Sequence, residues 1–220
     1  MHFSDAYHAL LDKGEDIDYF VSLHESETGT ERGRRYGVEP LNRAMIVFIC
    51  ASWDAYCNDV IRDAAEILSE RLDRPNDLPK PLAKAFANWV KSQKHDLKVF
   101  DLVGDGWRKL YRDFVDEKLE GFNTPKPSKL IDLFNKTLDI EDVTANWRWQ
   151  KCNVEKARTR LDRFVTLRGE IAHRMRADAK VGKKDGRTFH NHVGLLAGKT
   201  DATVREHLIT VTGYGWTEPE

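Results

Sequence analysis

Residues 153–176 read NVEKARTRLDRFVTLRGEIAHRMR. Val154, Ala157, Leu161, Phe164, Val165, Ile171, Ala172 and Met175 recur at the three-and-four spacing of a helix with one apolar face. Asn153 supplies an N-cap, because its side-chain oxygen can accept a first-turn N–H. The spacing predicts a helix running to Met175 or Arg176. Positions 154, 161, 168 and 175 lie seven residues apart and share a face; three are Val, Leu and Met, and the fourth is Arg168. A guanidinium in an apolar seam is too costly to keep alone. It must meet a carboxylate, an anionic ligand or a subunit boundary open to water.

His173 follows five residues later. At about 100° per residue it lies roughly 140° round from Arg168 and about 7.5 Å further along the axis. The two side chains do not stack, but they can flank one shallow groove. Gly169 falls between them in angle. A glycine inside a helix costs about 1 kcal/mol against alanine, so it should serve a need for space, for a close helix or for a bound chain.

A second long helix is predicted from Pro40, a residue tolerated in the first turn, to about Leu72. It is apolar almost all round from Ala44 to Cys57 and should be central. Asp54 interrupts that run, where the other polar residue is Ser52. A carboxylate there also needs a partner, and Arg168 and His173 are the natural candidates. One reading is a buried Asp54–Arg168 ion pair tying two central helices; the other is a functional cluster.

The rest of the chain fits around these two helices. Phe3 to about Glu25 is predicted as one helix, weakened at Gly14, and Ser26 to Val38 as a loop. Helices are expected over about Pro81–Gln93 and Asp105–Leu119, with a short one over Asp96–Val103. Ser128 should cap a helix ending near Leu138. Asp139 to Gln150 reads as a loop packing its aromatics, with Trp147 and Trp149 the pair to test for RNA contact. Lys180 to Arg187 reads as a basic loop. A last helix, about Thr188–Val211, is expected to split near Gly198, with Asp201 capping its second part. No strand pattern and no internal repeat stand out. The expectation is a single all-α domain: residues 1–38 an N-terminal helix and loop, 39–176 a core bundle, 177–220 a basic loop and C-terminal helix.

The composition, 40% hydrophobic and 32% charged, is that of a globular chain. The apolar stretch Ala44–Trp53 is too short to span a bilayer, and no secretory signal is visible; a cytoplasmic location and no membrane partner are expected. Cys50, Cys57 and Cys152 form no CxxC pair and read as small buried hydrophobes. His190 and His192 alternate as metal ligands only on a strand, so no metal and no cofactor are expected. His95 and His207 read as surface or helix-end histidines.

Charge is uneven. Residues 156–187 hold eleven Lys/Arg against four acids, a surplus of seven, so the remainder carries eight net negative charges within a total of −1. A local positive field on an acidic body suits an anionic partner met at one place, or simply a solvated helix face.

Leu167-Arg168-Gly169-Glu170-Ile171-Ala172-His173-Arg174 resembles the Arg-x4-His signature of the HEPN superfamily. Ala51-Ser52-Trp53-Asp54-Ala55-Tyr56 resembles the aromatic-acid-x-aromatic segment of its long early helix, and the pairing is similar to the RiboL-PSP-HEPN branch. The likeness covers roughly Pro40 to Arg176. It implies an all-α HEPN-like helical bundle with long central helices, dimerised so that two Arg/His pairs face one another across a cleft at the two-fold. It further implies a metal-independent endoribonuclease with a defence, toxin or RNA-processing role. Arg168 and His173 would be catalytic and Asp54, Glu170 and Gly169 supporting. Arg174, Arg176, Lys180, Lys183 and Lys184 would hold the RNA backbone. The chain departs from many active members in having Gly169, not a polar residue, directly after the Arg. The competing expectation is a non-catalytic module binding RNA, a nucleotide or an operon-encoded protein partner.

Overall fold

The computed structural model describes residues 2–28, 37–93, 101–174 and 181–216, with His173 and Arg174 as helix backbone only. Its helices are α1 (Asp5–Asp12), α2 (Gly14–Thr28), α3 (Glu39–Arg71), α4 (Lys80–Ser92), α5 (Gly106–Leu119), α6 (Pro127–Leu138), α7 (Val154–Arg174) and α8 (Lys183–Thr212). No β-strand occurs among the described residues. The all-α bundle built on long helices is as expected.

Everything is organised by α3. Pro40 sits in its first turn, and at 33 residues it is about 50 Å long. α1, α2, α5, α6, α7 and α8 all pack on it. By length and composition it could cross a membrane, yet Met45, Ile46, Trp53, Cys57, Val60 and Ile61 are fully buried among the other helices. Two of its buried donors find carbonyls: Trp53 Nε1 donates to Pro125 O at 3.3 Å and Tyr56 Oη to Ala197 O at 2.9 Å. Such pairing removes the penalty of burying a donor unmet. All three cysteines are buried free thiols.

Several expected boundaries move. The first helix breaks into α1 and α2 at Lys13, and the Gly14 backbone comes against the His190 ring, where a Cβ would crowd it. Ser4 caps α1 by accepting the Tyr7 N–H at 3.1 Å. α6 begins at Pro127, so Ser128 lies inside its first turn and is not the cap. Lys183–Arg187 is not loop but the start of α8, where the Asp185 carboxylate accepts the Gly182 N–H at 3.0 Å. α8 continues unbroken through Gly198. Two of its glycines are packing devices: a Cβ on Gly186 would collide with the Met45 sulfur, and Gly198 faces the Tyr7 ring. Asp201 starts no helix; it is buried and accepts the Ser4 N–H at 3.2 Å and the Ser4 hydroxyl, tying the start of α1 to α8. The helix expected over Asp96–Val103 falls mostly outside the described residues.

The segment before α7 is held by its own polar lattice. Arg158 reaches back from α7 to Asp142 (2.6 Å) and Thr144 (2.8 Å). Trp147 is buried, donates to Thr200 Oγ1 at 3.0 Å and meets Trp53 edge-on at 6.1 Å. It is core and unavailable to RNA, contrary to its grouping with Trp149.

Candidate functional site

α7 starts as predicted: Asn153 Oδ1 accepts the Lys156 N–H at 2.9 Å. Its seam runs down the core through Ala157, Leu161, Phe164 and Val165, at 0–5% exposure. One turn later the seam reaches Arg168, which is only half-buried; beyond it Ile171 is still buried and Ala172 is exposed. The Arg168–Ala172 side of the apolar face therefore leaves the bundle while the Ile171 side stays in it. That is a boundary a guanidinium can occupy without full desolvation.

Across from Arg168 stands α3. Cys50 Sγ lies 3.8 Å from the Phe164 carbonyl oxygen, which places the Cys50–Asp54 turn against the Phe164–Arg168 turn. Burial pushes the Asp54 carboxyl up to about 6, and the nearby Arg168 charge opposes that shift. Burial likewise pushes the Cys50 thiol up to about 12 against the pull of Arg168, so this thiol is no nucleophile near neutrality. Asp54 Oδ1 is buried and has no hydrogen-bond partner among the described residues. Arg168 thus acts on Asp54 through space without closing a bond to it. The sealed structural ion pair is not formed; among the described residues Asp54 Oδ1 and the Arg168 guanidinium are left without a hydrogen-bond partner at the edge of the core.

Gly169 is half-exposed, and no atom of the described residues lies within 4 Å of where its Cβ would be. Close helix packing within the described residues is therefore not its reason, in contrast to Gly186. Glu170 lies roughly 200° round α7 from Arg168 and about 60° from His173. It lines a groove of ≈ 280 Å³ with Arg163, Thr166, Leu167, Val181 and Asp185. So Asp54 is the acid beside Arg168, while Glu170 shares a face with His173. The His173 and Arg174 side chains, and Met175, Arg176 and Lys180, lie outside the described residues. Lys184 is exposed. Lys183 is engaged: its Nζ meets Glu25 Oε1 at 2.7 Å, an oxygen that Arg187 also approaches at 3.3 Å.

His190 and His192 diverge on α8. His192 is buried with Nε2 3.0 Å from the Ala157 carbonyl oxygen, while His190 faces a groove beside α1 and α2. No three His, Cys, Asp or Glu of the described residues gather as a metal site. His207 is half-buried rather than on the surface.

A family model described as RiboL-PSP-HEPN matches residues 10–205. The chain belongs to the RiboL-PSP-HEPN family. The match spans far more than the two motif helices, taking in α2 and most of α8 of this HEPN domain. No curated protein and no solved structure matches the chain. What sequence reasoning missed is the role of Glu25 as counter-charge to Lys183 and Arg187; nothing in the local pattern of α2 signals it, because the pairing spans more than 150 residues of chain.

Proposed function

We propose that this HEPN domain is a metal-independent endoribonuclease in which Arg168 and His173 act on RNA, in a defence, toxin or RNA-processing setting. The observation that carries the reading is Arg168 at the mouth of the α7 seam, half-exposed and, among the described residues, without a hydrogen bond, beside a carboxylate whose Oδ1 also lacks a partner there. A purely structural arginine at that register would be expected to close on Asp54.

Cleavage without a metal needs a base at the 2′-OH, an acid at the leaving 5′-oxygen and positive charge on the phosphorane. An imidazole, with an unperturbed pKa of about 6.5, serves as base or acid. A guanidinium supplies fixed bidentate charge to phosphate oxygens. Arg168 would hold the phosphate and Asp54 would set the Arg168 rotamer. His173 would transfer the proton, giving a 2′,3′-cyclic phosphate and a 5′-OH. A homodimer placing two such pairs across a two-fold would provide separate acid and base from one motif. The exposed and half-buried residues of α3 near this edge, Ala44, Val47, Phe48, Ala51 and Ala55, offer an apolar surface for that contact.

The test is cleavage of single-stranded RNA by wild type, Arg168→Ala and His173→Ala with EDTA present. Product from the wild type alone is expected; equal product from all three removes the mechanism.

A further inference from the structure

Trp89, Trp107, Trp147, Trp53 and Trp216 are buried, and Trp149 alone of the six tryptophans is half-exposed. Its position is fixed. The Trp149 N–H and carbonyl each pair with Cys152 at 3.0 Å, closing a tight turn with Lys151 in the left-handed conformation (φ 64°). The indole packs against the His192 ring, tilted by 59° with 5.4 Å between centroids. His192 in turn bonds the Ala157 carbonyl of α7 and feels the charge of Arg160, one turn on. Trp149 is therefore set beside the Ala157–Arg160 turn.

On α7 the exposed cations Lys156, Arg160 and Arg163 follow each other at i, i+4, i+7. They fall within an arc of about 60°, and the stripe continues through Leu167 to the register of Arg174. Lys156 and Arg160 make no ion pair among the described residues, and Arg163 makes one long contact with Asp185, 3.9 Å. Two of the three acids of α7, Glu155 and Asp162, lie about 100° and 120° round the helix from the middle of the stripe at Lys156; Asp162 is further occupied by Lys126 at 3.1 Å. Glu170, near His173, is the acid closest to the stripe. Arg148 and Lys151 are exposed next to Trp149. From Lys156 to Arg168 is about 18 Å along the axis.

We propose that this strip is a binding track for single-stranded RNA, running from a Trp149 stacking platform along Lys156, Arg160 and Arg163 toward the Arg168–His173 turn. It rests on the nuclease reading for its end point, and its occupant is set by charge complementarity with an anionic polymer and by a half-exposed indole on which a base can stack. Cations fix the backbone and an aromatic takes a base without regard to sequence. The track explains a surplus of positive charge that the two motif residues do not use.

The experiment uses the full chain with a 2′-O-methyl oligouridylate, which cannot supply the attacking hydroxyl and so reports binding alone. Tryptophan fluorescence should be quenched on binding by wild type and lose that quench in Trp149→Phe. Lys156→Gln combined with Arg160→Gln should flatten the log Kd against log salt slope by about 1.4, at about 0.7 per single-strand phosphate contact. Thermal unfolding of both variants confirms that they fold. Binding with an unchanged slope and an unchanged quench in the variants overturns the track and leaves the nuclease reading standing. No binding by wild type at all, with no cleavage of unmodified RNA, overturns both.

Discussion

Gly169→Ala separates what the glycine does for the fold from what it does for function. The residue lies inside α7, carries no positive φ, and has open space where a Cβ would sit. Alanine should therefore fit without strain and gain helix propensity, about 0.5–1 kcal/mol because the site is near the helix end. For a chain of this size that is a rise in Tm of about 1–4 °C. If the open space is where an RNA strand or a second subunit approaches between Arg168 and His173, the added methyl group stands in its way. RNA cleavage should then fall by about tenfold or more, a barrier of about 1.4 kcal/mol. Thermal unfolding and kcat/KM on one RNA measure both quantities. A higher Tm with unchanged kcat/KM would refute the argument, since the space would then be idle. A lower Tm would refute it differently, by showing that the protein's own chain fills the gap.

Asp54→Asn should stabilise the protein near pH 7.5 by about 1–2 kcal/mol after allowing for partial exposure, while cleavage falls because Arg168 loses its anionic neighbour. The sign follows from a carboxyl held at about 6 in the fold against about 3.9 unfolded. Its contribution to stability is present below the lower value and is lost as pH rises through the higher. Urea unfolding at pH 7.5 and pH 4 should show the gain at the first and none at the second. His192 works in the opposite direction: burial pushes its imidazole down to about 4, so the stability it provides is intact above pH ~6.5 and is lost as pH falls toward 4. Replacing it with Gln should flatten the acid limb of the stability profile in that window; an unaltered limb would show that its neutral ring is not what acid attacks.

The two helices that carry the fold were legible because their periodicity is strong and their anomalies are single residues: Arg168 on one apolar seam, Asp54 in another. Tertiary contact overrode local pattern elsewhere. Gly182 and Gly186 among lysines read as loop, yet Gly186 is required by the sulfur of Met45 on α3 and so belongs inside a helix. Asp201 resembles an N-cap, but its partner is Ser4, 197 residues away in sequence, which no local window contains. Trp147 and Trp149 look alike in sequence; only the packing of Trp53 and Thr200 around the first makes one core and leaves the other open. At the site, the sequence placed Arg168 opposite Asp54 but could not tell a closed ion pair from the open arrangement found. Lys183 was grouped with free RNA-binding cations because its neutralisation by Glu25 is non-local.

The chemistry assigned to Arg168 and His173 is tested most directly by the ends they leave on RNA. Mass spectrometry of the cleaved strand in EDTA should show a 2′,3′-cyclic phosphate on one fragment and a 5′-hydroxyl on the other, and a single 2′-deoxy substitution at the cleaved nucleotide should leave the strand intact. Fragments ending in a 3′-hydroxyl and a 5′-phosphate, or scission at the 2′-deoxy position, would contradict it.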